Sequence, residues 1–266
     1  LYSHEDYVDE HANFFFFFNY KRAQEIINNY DVIKAELIEY FKHHKLESYF
    51  NASMVEKKNT WKTSSLKSWD INLYNNQKTF PNTFKVIDKF PQIVSASFNL
   101  LEPHSKIKPH NGDTNAIFRC HLGLIIPKEQ DNCGFTVKGE TRKWEEGKML
   151  IFVDGLYHEA FNNTNEERYI FLFDVIRDEY LNKKKYVCAT VITALFLQKK
   201  EKKLSFIRFL RKGQKINLFE KQANAFRKEI LSKKNNWNPD HFELRYQVDL
   251  ELLSYESTKN RFSYYD

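Results

Sequence analysis

Between Ala116 and Ile126 the side chains alternate in a way that only an extended chain can use. Arg119, His121 and Gly123 fall on one side, with Cys120, Leu122 and Leu124 on the other. A two-residue period of this kind puts the two sets on opposite faces of a strand. The same alternation returns further on, where Arg168, Ile170, Leu172 and Asp174 oppose Tyr169, Phe171, Phe173 and Val175. Between them, Met149–Val153 is a short apolar run closed by the turn pair Asp154-Gly155. Three strands with polar groups on one face predict an all-β core folded over a pocket.

The chemistry-bearing residues of this region are His110, His158 and Arg168. Neutral imidazole is a common ligand of first-row metals, and a two-His site with open positions suits non-haem Fe(II). An Arg aimed into an apolar pocket needs a partner, and its fork fits a carboxylate. Against this stands the ordinary role of a strand histidine, which is structural or exposed. The chain has nine histidines, so spacing alone leaves the metal open. His104 competes with His110 as a ligand but falls in the turn Glu102-Pro103-His104-Ser105.

From about Trp61 to Arg177 the chain resembles the aspartyl/asparaginyl β-hydroxylases, a family of Fe(II)- and 2-oxoglutarate-dependent oxygenases. The match rests on Trp61-Lys62-Thr63 with Leu66 and Trp69, on PHNG at Pro109–Gly112, and on RCHLGLIIP at Arg119–Pro127. WEEGK at Trp144–Lys148, the pair His158-Glu159 and the Arg168 strand complete it. The resemblance implies that His110 and His158 bind the iron and that Arg168 grips the far carboxylate of 2-oxoglutarate. Arg119 and His121 would then meet the carboxylate beside the keto group. Asn99 stands where the family can have a small hydrogen-bonding Ser; it can donate too, but it is longer. Many related oxygenases carry a carboxylate two residues after the first His. Here that position is Gly112, an absence for which the family is known. In an extended chain Gly112 would share a face with His110, and Asp113 would turn away.

Composition limits the alternatives. The chain is 42% hydrophobic and 16% aromatic, enough to bury a core, and its few Gly and Pro argue against disorder or a fibre. Cys120, Cys133 and Cys188 show no CxxC spacing and are odd in number, which points away from a disulfide framework and toward a reducing, cytoplasmic setting. The acidic first residues and the brief Phe14–Phe18 run do not read as a signal peptide, and no stretch reaches membrane-spanning length.

Residues 1–59 read as a helical segment packing on the core, with Ile33, Leu37, Tyr40 and Phe41 on one face and Asp31 as a cap. His4, Glu5, Asp6 and His11 read as a solvated acidic terminus rather than a metal site. Residues 60–178 read as a double-stranded β-helix, a cupin-like jelly roll, with a helix starting at Pro81. Residues 179–266 are basic and mostly helical. The apolar run Tyr186–Leu197 reads as a helix packed on the barrel, with peripheral contact at an anionic membrane the rival. Aromatic–basic interleaving at Phe206–Arg211 matches a solvated helix face, and no nucleic-acid partner is expected. A break is expected at Asn235–Asp240, and Phe242–Leu253 could be strand or helix.

The expected activity is hydroxylation of a C–H bond, with Fe(II), 2-oxoglutarate and O2. The resemblance implies the β-carbon of Asp or Asn in a peptide or related small molecule. A lipid acyl chain is the alternative substrate, and a non-catalytic binding barrel the alternative class.

Overall fold

The computed structural model describes residues 21–49, 52–203 and 209–232. The expectations for the acidic N-terminus, for Phe206 and Arg208, and for everything after residue 232 lie outside these.

Two helices, α1 (Lys21–Ile27) and α2 (Tyr30–Phe41), lead into β1 (Glu47–Ser48), β2 (Trp61–Ser68) and β3 (Ile71–Asn72). Next come α3 (Tyr74–Thr79), α4 (Pro81–Asp88), β4 (Ile93–Leu101), β5 (Ser105–Asn111) and β6 (Ile117–Ile125). β7 (Cys133–Val137), β8 (Glu140–Lys143), β9 (Met149–Val153), β10 (Tyr157–Asn162) and β11 (Arg168–Ile176) complete the sheets. Helices α5 (Lys184–Lys203) and α6 (Lys212–Ser232) follow.

The strands form two antiparallel sheets. The larger runs β1-β2-β4-β11-β6-β9, with β3 attached to β2, and the smaller runs β5-β10-β7-β8. Their inner faces meet in one apolar cluster, with Leu101, Phe152 and Ile170 from the larger sheet against Ile107, Phe135, Val137 and Ala160 from the smaller. This is a jelly-roll core with helices before and after it.

The alternation read from the sequence decides what each face of the large sheet does. Cys120, Leu122, Leu124, Tyr169, Phe171, Phe173 and Val175 are buried on its outer face beneath Ile26, Ile33 and Leu37 of α1 and α2. The i, i+4 spacing of Ile33 and Leu37 gives α2 its single apolar stripe. Tyr40 and Phe41 pack at the edge of the same cluster. Asp31 is not the cap: Asn29 holds that position, makes no side-chain cap bond, and leaves Asp31 inside the first turn. There its charge suits the helix dipole. Helix α4 begins at Pro81 as the sequence implies. Its first free N–H groups are satisfied from a distance, by the two carboxylate oxygens of Glu36 on α2, which accept from Asn82 and Thr83 at 2.7 Å each.

Helix α5 packs on the barrel. Val187, Cys188, Val191 and Ile192 are buried with Trp69, Ile71, Val94, Ile117 and Ile176. Lys184 anchors its start by pairing with Asp70 at 2.8 Å. Among the described residues no helix is long and apolar enough to cross a membrane. Ending the chain after Asp178 would return five large barrel side chains to water, at about 1.5–3 kcal/mol for each one fully exposed. The expected product is insoluble or molten, checked by soluble yield and near-UV circular dichroism. A well-folded truncated barrel would show that α5 contributes no essential cover.

Candidate active site

His110 and His158 meet because β5 and β10 pair in a register that sets these two residues directly opposite each other. Residues opposed across an antiparallel pair project to the same face, and the two imidazole rings lie 4.3 Å apart. Each Nδ1 lies against the carbonyl two residues upstream, His110 on Lys108 at 2.7 Å and His158 on Leu156 at 2.6 Å. A carbonyl can only accept, so Nδ1 carries the proton and Nε2 keeps its lone pair. Burial pushes His158 down to about 4 and also lowers His110. Both rings are therefore neutral near pH 7, the form a metal requires.

The pocket beside them is lined by Asn99, Arg119, His121, Phe135, Trp144 and Arg168, among others. Arg168 opens β11 and is 1% exposed. Its guanidinium lies over the Trp144 ring at 4.4 Å, its Nε has no hydrogen-bond partner, and burial lowers its pKa to about 10. Trp144 is delivered by the WEEGK stretch, which lies so close to β6 that a Cβ on Gly123 would be 2.2 Å from the Glu145 carbonyl oxygen. His121 is 4% exposed, and neither ring nitrogen has a hydrogen-bond partner. Burial first, then the neighbouring Arg168, keeps it neutral. A buried cation and a buried imidazole with open hydrogen-bonding positions together suit an anion, since orphaned polar groups cost about 1–3 kcal/mol each.

Arg119 and Asn99 sit in the same pocket wall, with part of their bonding capacity already used. Arg119 donates to both oxygens of Asp174, at 2.8 and 3.1 Å, and pairs with Asp154 at 2.5 Å. Asn99 accepts from Trp61 at 3.1 Å and donates to the Ser97 hydroxyl at 2.8 Å. His104 lies in its turn at φ +49°, bonded to Asn165, and is not among the pocket residues.

Asp154 was legible only as a turn residue, yet it organises the chain after the first histidine. Its carbonyl accepts from the Gly112 N–H at 3.0 Å, and its carboxylate accepts from the Asp113 N–H at 2.8 Å. A Cβ on Gly112 would stand 2.2 Å from the Asp154 carboxyl carbon. The position where a third protein ligand could be sought thus has no room for any side chain. Among the described residues, no group of three or more His, Cys, Asp and Glu is placed to hold a metal. The donor set at hand is two imidazoles. Gly112→Asp is expected to add no Fe(II) affinity and to cost about 1–3 kcal/mol or more through overpacking. Thermal unfolding and Fe(II) titration check this; tighter iron binding with an unchanged melting temperature would show room for a third ligand.

A two-sheet jelly roll with paired histidines and a buried arginine in its inner pocket places the chain among cupin-like β-barrel proteins. Within that class it belongs to the Aspartyl/Asparaginyl beta-hydroxylase family, whose model matches residues 27–178. An ornithine lipid ester-linked acyl 2-hydroxylase of Rhizobium tropici is 32% identical over 160 residues, covering 58% of this chain and 57% of that protein. The human aspartyl/asparaginyl beta-hydroxylase is 35% identical over 130 residues, 47% of this chain and 17% of its own length. The chain thus aligns with less than two thirds of either relative. A solved Pseudomonas putida prolyl-4-hydroxylase aligns over 56% of this chain and 87% of its own at 15% identity, with a TM-score of only 0.37.

Proposed function

We propose that this chain is an Fe(II)- and 2-oxoglutarate-dependent dioxygenase that hydroxylates a substrate C–H bond. The observation that carries this reading is the cross-strand pair His110–His158, with both Nε2 atoms free to coordinate. When bound, iron with 2-oxoglutarate and O2 supplies the oxidising power, and the protein supplies placement and electrostatics.

His110 and His158 hold the metal. Their Nδ1–H bonds to backbone carbonyls fix the tautomer and the ring orientation, as outer-shell partners of metal-bound histidines do. Arg168 would take the far carboxylate of 2-oxoglutarate, its guanidinium backed by the Trp144 ring 4.4 Å away. His121 donates a ring N–H to the near carboxylate. Arg119, held by Asp174 and Asp154, turns what remains of its fork to the same group, and Asn99 shapes the wall beside it. Phe135 and Phe152, packed at 4.7 Å, help keep water from the histidines.

Membership of the family supports an Asp or Asn β-carbon, in a peptide or small molecule, as the position hydroxylated. The name of the Rhizobium relative favours a second reading, an acyl-chain carbon, in which the basic tail would rest on a membrane surface. Three buried free cysteines suit a reducing, cytoplasmic setting. The test is succinate formation from 2-oxoglutarate with Fe(II) and O2, across a panel of peptides, amino acids and lipids. No succinate under any condition, from a folded protein, would leave a binding barrel in place of an enzyme.

A further inference from the structure

A second, larger cavity of about 550 Å3 adjoins the inner pocket. The two have Trp61, Asn99, Arg119 and Leu172 in common, so one wall separates the histidines from this space. Much of its lining is polar and uncharged, with serines of β2 and β4 prominent. Its charged lining residues are Glu47, Lys67, Asp113, Arg119 and Asp174.

Each cation among these already faces a protein carboxylate. Lys67 pairs with Asp70 at 3.0 Å. Arg119 pairs with Asp174 and Asp154. Among the described residues, neither the Glu47 nor the Asp113 carboxylate makes a hydrogen bond or an ion pair. The cavity therefore holds two carboxyl groups open to a ligand; burial, then the neighbouring Asp154, raises the pKa of Asp113 to about 7, and a cation brought against it would favour its ionised form. Asp113 is the better placed of the two. It follows His110 by three residues, and its backbone N–H is fixed on the Asp154 carboxylate, which also pairs with the shared-wall Arg119.

Resting on the dioxygenase reading, we propose that this cavity takes a substrate bearing a protonated amine, which pairs with Asp113 and brings a nearby C–H bond toward the two histidines. A ligand presenting only carboxylates would leave Asp113 without an opposite charge and would further favour its neutral form. The amine could belong to a soluble amino compound, such as a peptide or amino acid, or to a lipid headgroup.

The experiment uses the full chain with Fe(II) and 2-oxoglutarate under anaerobic conditions. L-lysine amide is titrated calorimetrically, with Nα,Nε-diacetyl-L-lysine amide as the uncharged control. Phosphatidylcholine vesicles with and without phosphatidylethanolamine are co-sedimented in parallel. Asp113→Asn keeps shape and removes charge. The expected result is that at least one amine probe binds, that its neutral counterpart does not, and that Asp113→Asn weakens binding at least tenfold while 2-oxoglutarate affinity holds. A response confined to lysine amide assigns a soluble substrate; one confined to phosphatidylethanolamine assigns a lipid. Equal binding of the acetylated control, no probe sensitive to Asp113→Asn, or loss of 2-oxoglutarate binding in that variant would each overturn the proposal. Failure of the dioxygenase reading looks different: no 2-oxoglutarate binds to the wild type, while the Asp113-dependent amine response remains.

Discussion

On the dioxygenase reading, His110→Ala and His158→Ala are each expected to reduce 2-oxoglutarate turnover by roughly two orders of magnitude or more. Changes even to outer-shell partners of a metal typically cost 10–100-fold in affinity or activity, and on the proposed reading each variant removes a coordinating atom itself. The effect is large because the site is small. Gly112 cannot carry a side chain without striking Asp154. Asp113 lines the neighbouring cavity instead. No described side chain is therefore in position to replace a lost imidazole. Fe(II) affinity and succinate formation are the measurements, with circular dichroism to show that the fold persists. Near-normal turnover in either variant would remove that histidine from the metal site.

Arg168→Met is expected to weaken 2-oxoglutarate binding by a factor of about 30 or more while leaving iron affinity intact. Truncating one partner of a buried charge pair costs roughly 2–5 kcal/mol, and about 1.4 kcal/mol is a factor of ten. Met fills similar space and keeps a contact with Trp144, so the barrel should survive. Titration of 2-oxoglutarate into the Fe(II) protein reads the loss directly. If affinity is unchanged, the anchor for the far carboxylate lies elsewhere, and Arg119 is the next residue to test.

How much of this was visible beforehand depended on the range of the interactions. The alternation across Arg119–Leu124 and Arg168–Val175 is local, and it correctly separated the buried outer face from the pocket face. The stripe of Ile33 and Leu37, the Pro81 helix start and the apolar run of α5 are local too, and each was legible. What could not be read was fixed by register and by distant partners. Asp174 faces Arg119 as its cross-strand neighbour on β11 and β6, a pairing known only once the register is known. Asp154 bonds the backbone of Asp113 from 41 positions away. Glu36 caps a helix 46 positions further on, which no capping pattern in the sequence would suggest. The assignment of Asp31 as a cap failed for the opposite reason: local preference favoured it, but the helix begins two residues earlier than that cap requires, at Tyr30.

The hairpin joining β2 and β3 turns through two non-glycine residues, Trp69 at φ +47° and Asp70 at φ +66°. A left-handed backbone costs a bulky residue about 1–2 kcal/mol and Asp less, so Trp69 is the position that needs support from outside the turn. The Trp69 ring is buried against α5, and Asp70 is pinned between Lys67 and Lys184. Trp69 and Leu195 of α5 both line the larger cavity. The helix thus acts as a strut, with its apolar face on Trp69 and its first turn on Asp70. Because α5 lies beyond the segment that matches the family, the contour of that cavity is written partly outside the shared barrel. Relatives with the same histidines and arginine can differ in what they admit without changing a residue of the inner pocket.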